Sequence, residues 1–168
     1  MKIIMQDSKD PELEKIKDII EDIRIATLVT KDNDGPMRGR PMATAEVDDD
    51  GTLWFFTDEY SGKVEEISEK KEVLVSYASK SQNAYVMING TASLIDDRKK
   101  IEELWKPAMK AFFPKGLDDK KILLIRVDGE QAEYWEGSSS KIVIAFNIAR
   151  SIATGKQYNQ GEHGKVTL

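Results

Sequence analysis

A small antiparallel β-barrel, closed or split, with helices at its ends is the fold this sequence predicts, and three observations lead to it. Much of the chain between residues 25 and 136 falls into short segments in which apolar and polar side chains alternate, the period of a half-buried strand. Short turn signals such as Asp32-Asn33-Asp34-Gly35 and Asp48-Asp49-Asp50-Gly51 separate them, which favours antiparallel neighbours. Gly90 interrupts the longest segment, where a barrel corner needs a bulge or a sharp bend. The expected class is mainly β with helices (α+β), six strands in a single domain over residues 1–168. Side chains fill a barrel of this size, so a ligand site belongs on its outside or at a subunit interface.

Residues 1–10 read as a loose start. Asp10-Pro11 then offers an N-cap with proline at the first helical position, and Leu13, Ile16, Ile19, Ile20 and Ile23 recur at helical spacing, so a helix is expected over 11–23. Residues 25–31 are rich in β-branched side chains and read as a strand. Residues 38–47 form the next, with Arg38, Arg40, Met42 and Thr44 on one face. Pro41 inside that strand implies an edge, a bulge or a place where the sheet opens, and unpaired backbone groups there suit the polar edge of a ring.

A third strand over 52–57 leads into a short helix over 62–70, with Val64 and Ile67 inward. Its charges, Glu65-Glu66 and Glu69-Lys70-Lys71-Glu72, read as a solvated face. Strands follow over 72–79 and 84–95, then a helix capped by Asp97 that Pro107 must kink or split. The aromatic loop Ala111-Phe112-Phe113-Pro114-Lys115-Gly116 serves either packing or the cover of a bound ring. Residues 122–127 and 131–136, separated by Asp128-Gly129-Glu130, read as a hairpin. A last helix over 141–154 carries Ile142, Phe146, Ala149 and Ala153 on one side and stops at Gly155, leaving a polar tail over 156–168.

Composition narrows the chemistry. The net charge of −5 provides no sequence-wide attraction to nucleic acid or to an anionic membrane, so neither is an expected partner. The absence of cysteine removes disulfides, thiolate metal ligands and cysteine nucleophiles, and no metal site is expected. Neither a secretory leader nor a membrane-length apolar run is visible, which gives a cytoplasmic expectation. The single histidine, His163, lies in the Gly-flanked tail, a poor place for a positioned imidazole.

The stretch from Thr52 to Lys63 is the expected working centre. An aromatic strand, Trp54-Phe55-Phe56, runs through a polar turn to Ser61, Gly62 and Lys63 at a helix N-terminus, where unpaired N–H groups and the dipole favour an anion. Ser61 is equally a common N-cap that needs no ligand. Arg40 on the neighbouring strand brings a second cation towards the same turn, as a doubly charged phosphate requires.

Four segments carry a resemblance to a known family: Trp54-Phe55-Phe56-Thr57-Asp58-Glu59-Tyr60-Ser61-Gly62-Lys63, Arg40-Pro41-Met42 before it, Glu133-Tyr134-Trp135-Glu136-Gly137 after it, and Leu104-Trp105-Lys106-Pro107-Ala108-Met109-Lys110-Ala111-Phe112-Phe113-Pro114-Lys115-Gly116. From about Leu13 to Gly155 the sequence resembles the flavin mononucleotide (FMN)-binding split barrels related to pyridoxamine 5′-phosphate oxidase, and within them the general stress protein 26 family. The resemblance implies that Arg40, Pro41 and Met42 lie along the flavin, with Arg40 near the phosphate or ribityl chain. It implies that Phe56 and Thr57 border the cofactor, that Ser61 and Lys63 bind its phosphate, and that Trp135 approaches from the partner of a homodimer.

The departures limit the activity implied. Oxidases acting on pyridoxamine phosphate carry a basic stretch after the tryptophan, where this chain has Lys141-Ile142-Val143-Ile144-Ala145, and a further basic residue at the position of Gly62. Pyridoxamine phosphate oxidation is therefore not expected. A bound flavin would perform electron transfer itself, backbone donors around Pro41 and Met42 favouring its reduced form, with nicotinamide or another donor as redox partner. No residue declares itself as a substrate base. The rival readings are a protein that binds or stores flavin or another flat ligand without turnover, and a nucleic-acid-binding barrel that stacks bases on Trp54, Phe55 and Phe56, against which the acidic charge weighs.

Overall fold

The computed structural model describes residues 10–32, 34–159 and 161–168. Most of the expected loose start, Asn33 of the first turn and Gln160 of the tail lie outside the described residues. Asp10 caps α1 (Pro11–Ile23) by accepting the Glu12 N–H at 3.0 Å. Ile16, Ile19 and Ile20 of that helix are buried in one cluster with Leu28, Phe55, Val75, Tyr77 and Val86 from the strands, so α1 adds its stripe to the barrel core. At about 1.5–3 kcal/mol for each fully buried isoleucine, this contact rather than helix propensity holds α1 in place.

Strands β1 (Ile25–Lys31), β2 (Met37–Val47), β3 (Leu53–Asp58), β4 (Glu72–Ser79), β5 (Ala84–Ile95) and β6 (Ile122–Glu136) pair in the order β3-β2-β1-β4-β5-β6, and a β3–β6 pairing closes the ring. All of these pairings are antiparallel. The closed six-stranded barrel is thus as expected, and with α2 (Gly62–Glu69), α3 (Arg98–Leu104) and α4 (Lys141–Thr154) four α-helices accompany it among the described residues. Asp97 caps α3 by accepting the Lys99 and Lys100 N–H groups, and Pro107 begins a separate 3₁₀ helix, Pro107–Ala111, the tandem arrangement the proline predicts.

Two expectations are corrected. Residues 122–136 are not a hairpin but one 15-residue strand that pairs with β5 along its length. At Asp128-Gly129-Glu130 its other edge changes partner, from β3 (Val127 opposite Leu53) to β7 (Glu162–Thr167; Gln131 opposite Thr167). The turn-like residues mark a bend: Gly90 lies opposite Gly129 where the register shifts, and a Cβ on Gly90 would stand 2.2 Å from the Asp128 carbonyl oxygen. The tail over 156–168 likewise contains β7, whose His163 stacks on Trp135 with ring centroids 4.9 Å apart.

β2 pairs with β1 from Met37 to Ala43 but meets β3 only from Thr44 to Val47, with a bulge between Thr44 and Glu46. The half of β2 that contains Pro41 therefore has an open edge, where a residue without an N–H loses no ladder bond. Helix α4 turns its apolar side outward: Ile142 is 83% and Phe146 65% exposed, while Ile144, Asn147 and Ser151 face the body half-buried.

Gly90→Ala is expected to lower stability by about 2 kcal/mol or more, because the backbone it would strike has no flexible end to give way. Urea unfolding of the variant checks this.

Candidate functional site

Strand β3 passes into α2 through a tight turn. The Asp58 carboxylate accepts the Tyr60 N–H at 2.9 Å and its carbonyl accepts the Ser61 N–H at 3.0 Å. Ser61 has the extended backbone of an N-cap (φ −75°, ψ 142°), yet its side chain caps nothing. Its hydroxyl pairs with that of Thr57 at 3.0 Å instead. The Gly62 and Lys63 amides consequently have no hydrogen-bond partner among the described residues, and of the two sequence readings of Ser61 the side-chain cap is the one the structure does not make. A Cβ at Gly62 would meet no atom within 4 Å, so the approach to these amides is open.

Two cations stand at this end of α2. Lys63 is half-buried and forms no ion pair among the described residues. Burial, and after it the charge of Arg40, holds its ammonium below the usual lysine range. Arg40 donates from one Nη to Thr30 Oγ1 at 2.6 Å and from the other to Glu66 Oε2 at 2.8 Å. Glu66 therefore corrects the expected solvated face: it is 6% exposed. Burial pushes its carboxyl up, but the Thr30 hydroxyl, the Arg40 guanidinium and the Arg38 charge outweigh that and hold it below the usual carboxylate range.

An open cavity of about 430 Å³ adjoins the turn, within the range of roughly 300–1,000 Å³ common for small-molecule sites. Of the eight residues expected at the site, Pro41, Met42, Phe56, Thr57 and Lys63 line it. Ser61 joins it through Thr57, whereas Arg40 does not line it and instead pairs with Glu66, one helical turn after Lys63 on α2. Trp135 does not line this cavity; it borders another, of about 400 Å³, with Tyr85, Met87 and Tyr158. A larger hollow of about 620 Å³ lies among α2, β1 and β4, but its lining has no aromatic residue to hold a flat ring.

The aromatic loop divides between its two readings. Phe113 is 8% exposed and packs with Phe56, Ile101, Leu104, Ile122 and Leu124, whereas Phe112 is 75% exposed, and both line the cavity. Along the opposite wall the backbone corrects the expected donor. Thr44 donates its N–H to the Arg24 carbonyl on the β1 side at 2.9 Å, so alternation turns Pro41 and Ala43 to the open edge. Pro41 has no N–H, which makes the Ala43 amide, rather than that of Met42, the donor on that side.

Comparison with known proteins agrees with this architecture. A family model described as pyridoxamine 5′-phosphate oxidase like matches residues 11–159. The chain belongs to this family. Within the fold of pyridoxamine 5′-phosphate oxidase-like proteins, it superposes on a Jannaschia sp. CCS1 protein assigned to general stress protein 26 with a TM-score of 0.75 and 23% identity, over 92% of this chain and 97% of that one. The general stress FMN/FAD binding protein of Xanthomonas citri gives a TM-score of 0.68 at 26% identity, over 78% of this chain and 93% of that one. Protein bli-3 of Neurospora crassa is 25% identical over 163 residues, 89% of this chain and 78% of its own length.

Sequence reasoning about this pyridoxamine 5′-phosphate oxidase-like chain missed Ala43, Met109, Thr30 and Glu66. Ala43 and Met109 have no polar atom to draw notice. Glu66 carried one usable signal, its place one helical turn after Lys63. Glu66→Gln is expected to cost about 1.5–3 kcal/mol near neutral pH, the worth of hydrogen bonds to a charged group. Because the folded-state value is lowered, this contribution is complete above the unfolded carboxyl value of about 4.3 and disappears as pH falls through the lower folded one. Urea unfolding at about pH 7 and about pH 3 checks that the two proteins converge in acid.

Proposed function

We propose that this protein is an FMN-binding flavoprotein with a redox role, a homodimer of the cytoplasm whose flavin occupies the cavity beside α2. One observation carries the reading: an apolar cavity ends at two unpartnered helix amides and at Lys63, an ammonium that forms no direct ion pair among the described residues, although the Asp58 and Glu66 charges act on it from further away. A flat ring attached to a phosphate has both halves this site asks for. Pro41, Met42, Phe56 and Phe113 would hold the ring, the Ala43 amide would meet its polar edge, and Lys63, Arg40 and the α2 amides would hold the phosphate. Thr57 and Ser61 would offer their linked hydroxyls to the phosphate or the ribityl chain.

Bound flavin supplies hydride and single-electron transfer, and the protein's part is to bind, orient and exclude water. The cavity is open on one side, and the outward Ile142 and Phe146 of α4 together with the aromatic surface around Trp135 support a second copy that closes it. Trp135 would reach the flavin from that copy, its ring held flat by His163. Among the described residues no helix is long and apolar enough to cross a membrane.

A second reading, a flavin carrier without turnover, draws support from the lining itself. Asp58 is its one carboxylate among the described residues, and it already accepts the Tyr60 N–H. Anaerobic mixing with reduced nicotinamides separates the two, since a carrier leaves the flavin absorbance unbleached.

Fluorescence titration is expected to show FMN binding that Lys63→Met weakens about tenfold or more, the loss of one charge-assisted contact. Unchanged affinity would remove Lys63 from the site. Gly62→Arg is expected to strengthen binding severalfold, because the position is open and the added charge lies at the helix N-terminus. Light scattering is expected to report a dimer at micromolar concentration, and a monomer would count against the interfacial role of Trp135.

A further inference from the structure

Arg40 is held rather than free. Its two Nη groups donate to Thr30 and Glu66, and the Thr30 hydroxyl and the Glu66 carboxylate bond to each other as well. Thr30 and Glu66 are buried, so the triangle is shut off from solvent on the protein side. A guanidinium carries its five N–H donors in one plane, and fixing two of them fixes the direction of the rest. Lys63 lies one helical turn before Glu66 on α2, and the charge of Arg40 acts on its ammonium. Two neighbouring like charges push the more flexible side chain towards water, and Glu66 is the group that opposes it.

We propose that Glu66 is a positioning residue of the phosphate subsite, holding the Arg40 guanidinium beside Lys63 so that both cations meet one anion. The inference rests on the flavin reading of the same site. Glu66 does not line the cavity and acts through Arg40. Charge counting alone predicts the opposite effect, since loss of a carboxylate makes the subsite more positive. The geometry favours positioning: a direct, pre-oriented charge-assisted bond outweighs a screened charge one layer further back. A released arginine also gains rotamer freedom that anion binding must remove again.

A double-mutant cycle tests this, with FMN and riboflavin titrated by fluorescence into the wild type, Glu66→Ala, Thr30→Val, Arg40→Ala and the Glu66→Ala/Arg40→Ala pair, and melting curves taken to show that each is folded. Glu66→Ala is expected to weaken FMN about tenfold and leave riboflavin, which has no phosphate, unchanged. Thr30→Val is expected to shift FMN in the same direction by about threefold. In the Arg40→Ala background the Glu66 substitution is expected to cost nothing further. FMN affinity that stays the same or tightens in Glu66→Ala, an equal loss for riboflavin, or a loss that persists without Arg40 each overturns the positioning role. Where Glu66→Ala does not fold, the same cycle run with Thr30→Val decides by the same outcomes. A wild type that binds neither flavin overturns the flavin reading and this inference with it, whereas a binding wild type with indifferent variants overturns this inference alone.

Discussion

Three strands share the two edges of β6, and the rest of the architecture follows from that sharing. One edge stays with β5 throughout, while the other serves β3 in its first half and β7 in its second. A strand can change partners in this way only if it bends and its neighbour bends with it. The opposed Gly90 and Gly129 allow this: a Cβ at Gly90 would strike the Asp128 backbone, and one at Gly129 would strike the Leu168 side chain. The barrel therefore closes through β3 over the first half of β6 and is extended by β7 beyond it.

The candidate site lies at a second place where pairing is incomplete. β2 pairs with β3 only from Thr44 onward, leaving Pro41 and Ala43 before it on an open edge, and the aromatic loop after α3 leans over the gap. One end of the resulting hollow is apolar and the other is charged. At the charged end the Ser61 side chain bonds to Thr57 and not to its own helix, so the Gly62 and Lys63 amides are without a partner among the described residues. In the Arg40–Glu66–Thr30 triangle, the Arg40 guanidinium is held by two buried groups, the Thr30 hydroxyl and the Glu66 carboxylate that offsets its charge.

Helix α4 poses the converse problem. Its side facing the body carries Ile144, Asn147 and Ser151, and its solvent side carries Ile142 and Phe146. Within the single chain the larger apolar side chains of this helix are thus left uncovered.

The elements were legible because their causes are local. The Asp10-Pro11 cap, the Asp97 cap, the split at Pro107, the Gly155 stop and the bounds of β4 and β5 depend on side chains within a few residues of one another. Of the five expected site residues that line one cavity, Phe56, Thr57 and Lys63 do so for the same reason, since their stretch is continuous in sequence, while Pro41 and Met42 come to it from β2. The Asp128-Gly129-Glu130 signal was read as a turn because a bend and a hairpin begin with the same residues, and only the pairing with β5, β3 and β7 distinguishes them. His163 was read as frayed because the strand it joins pairs with residues about thirty positions earlier. The sequence by itself determined where the backbone turns, caps and alternates. The tertiary structure alone decided which edge stays open, that Glu66 is buried against Arg40, and that Trp135 lies apart from the cavity, because each depends on contacts between segments distant in sequence.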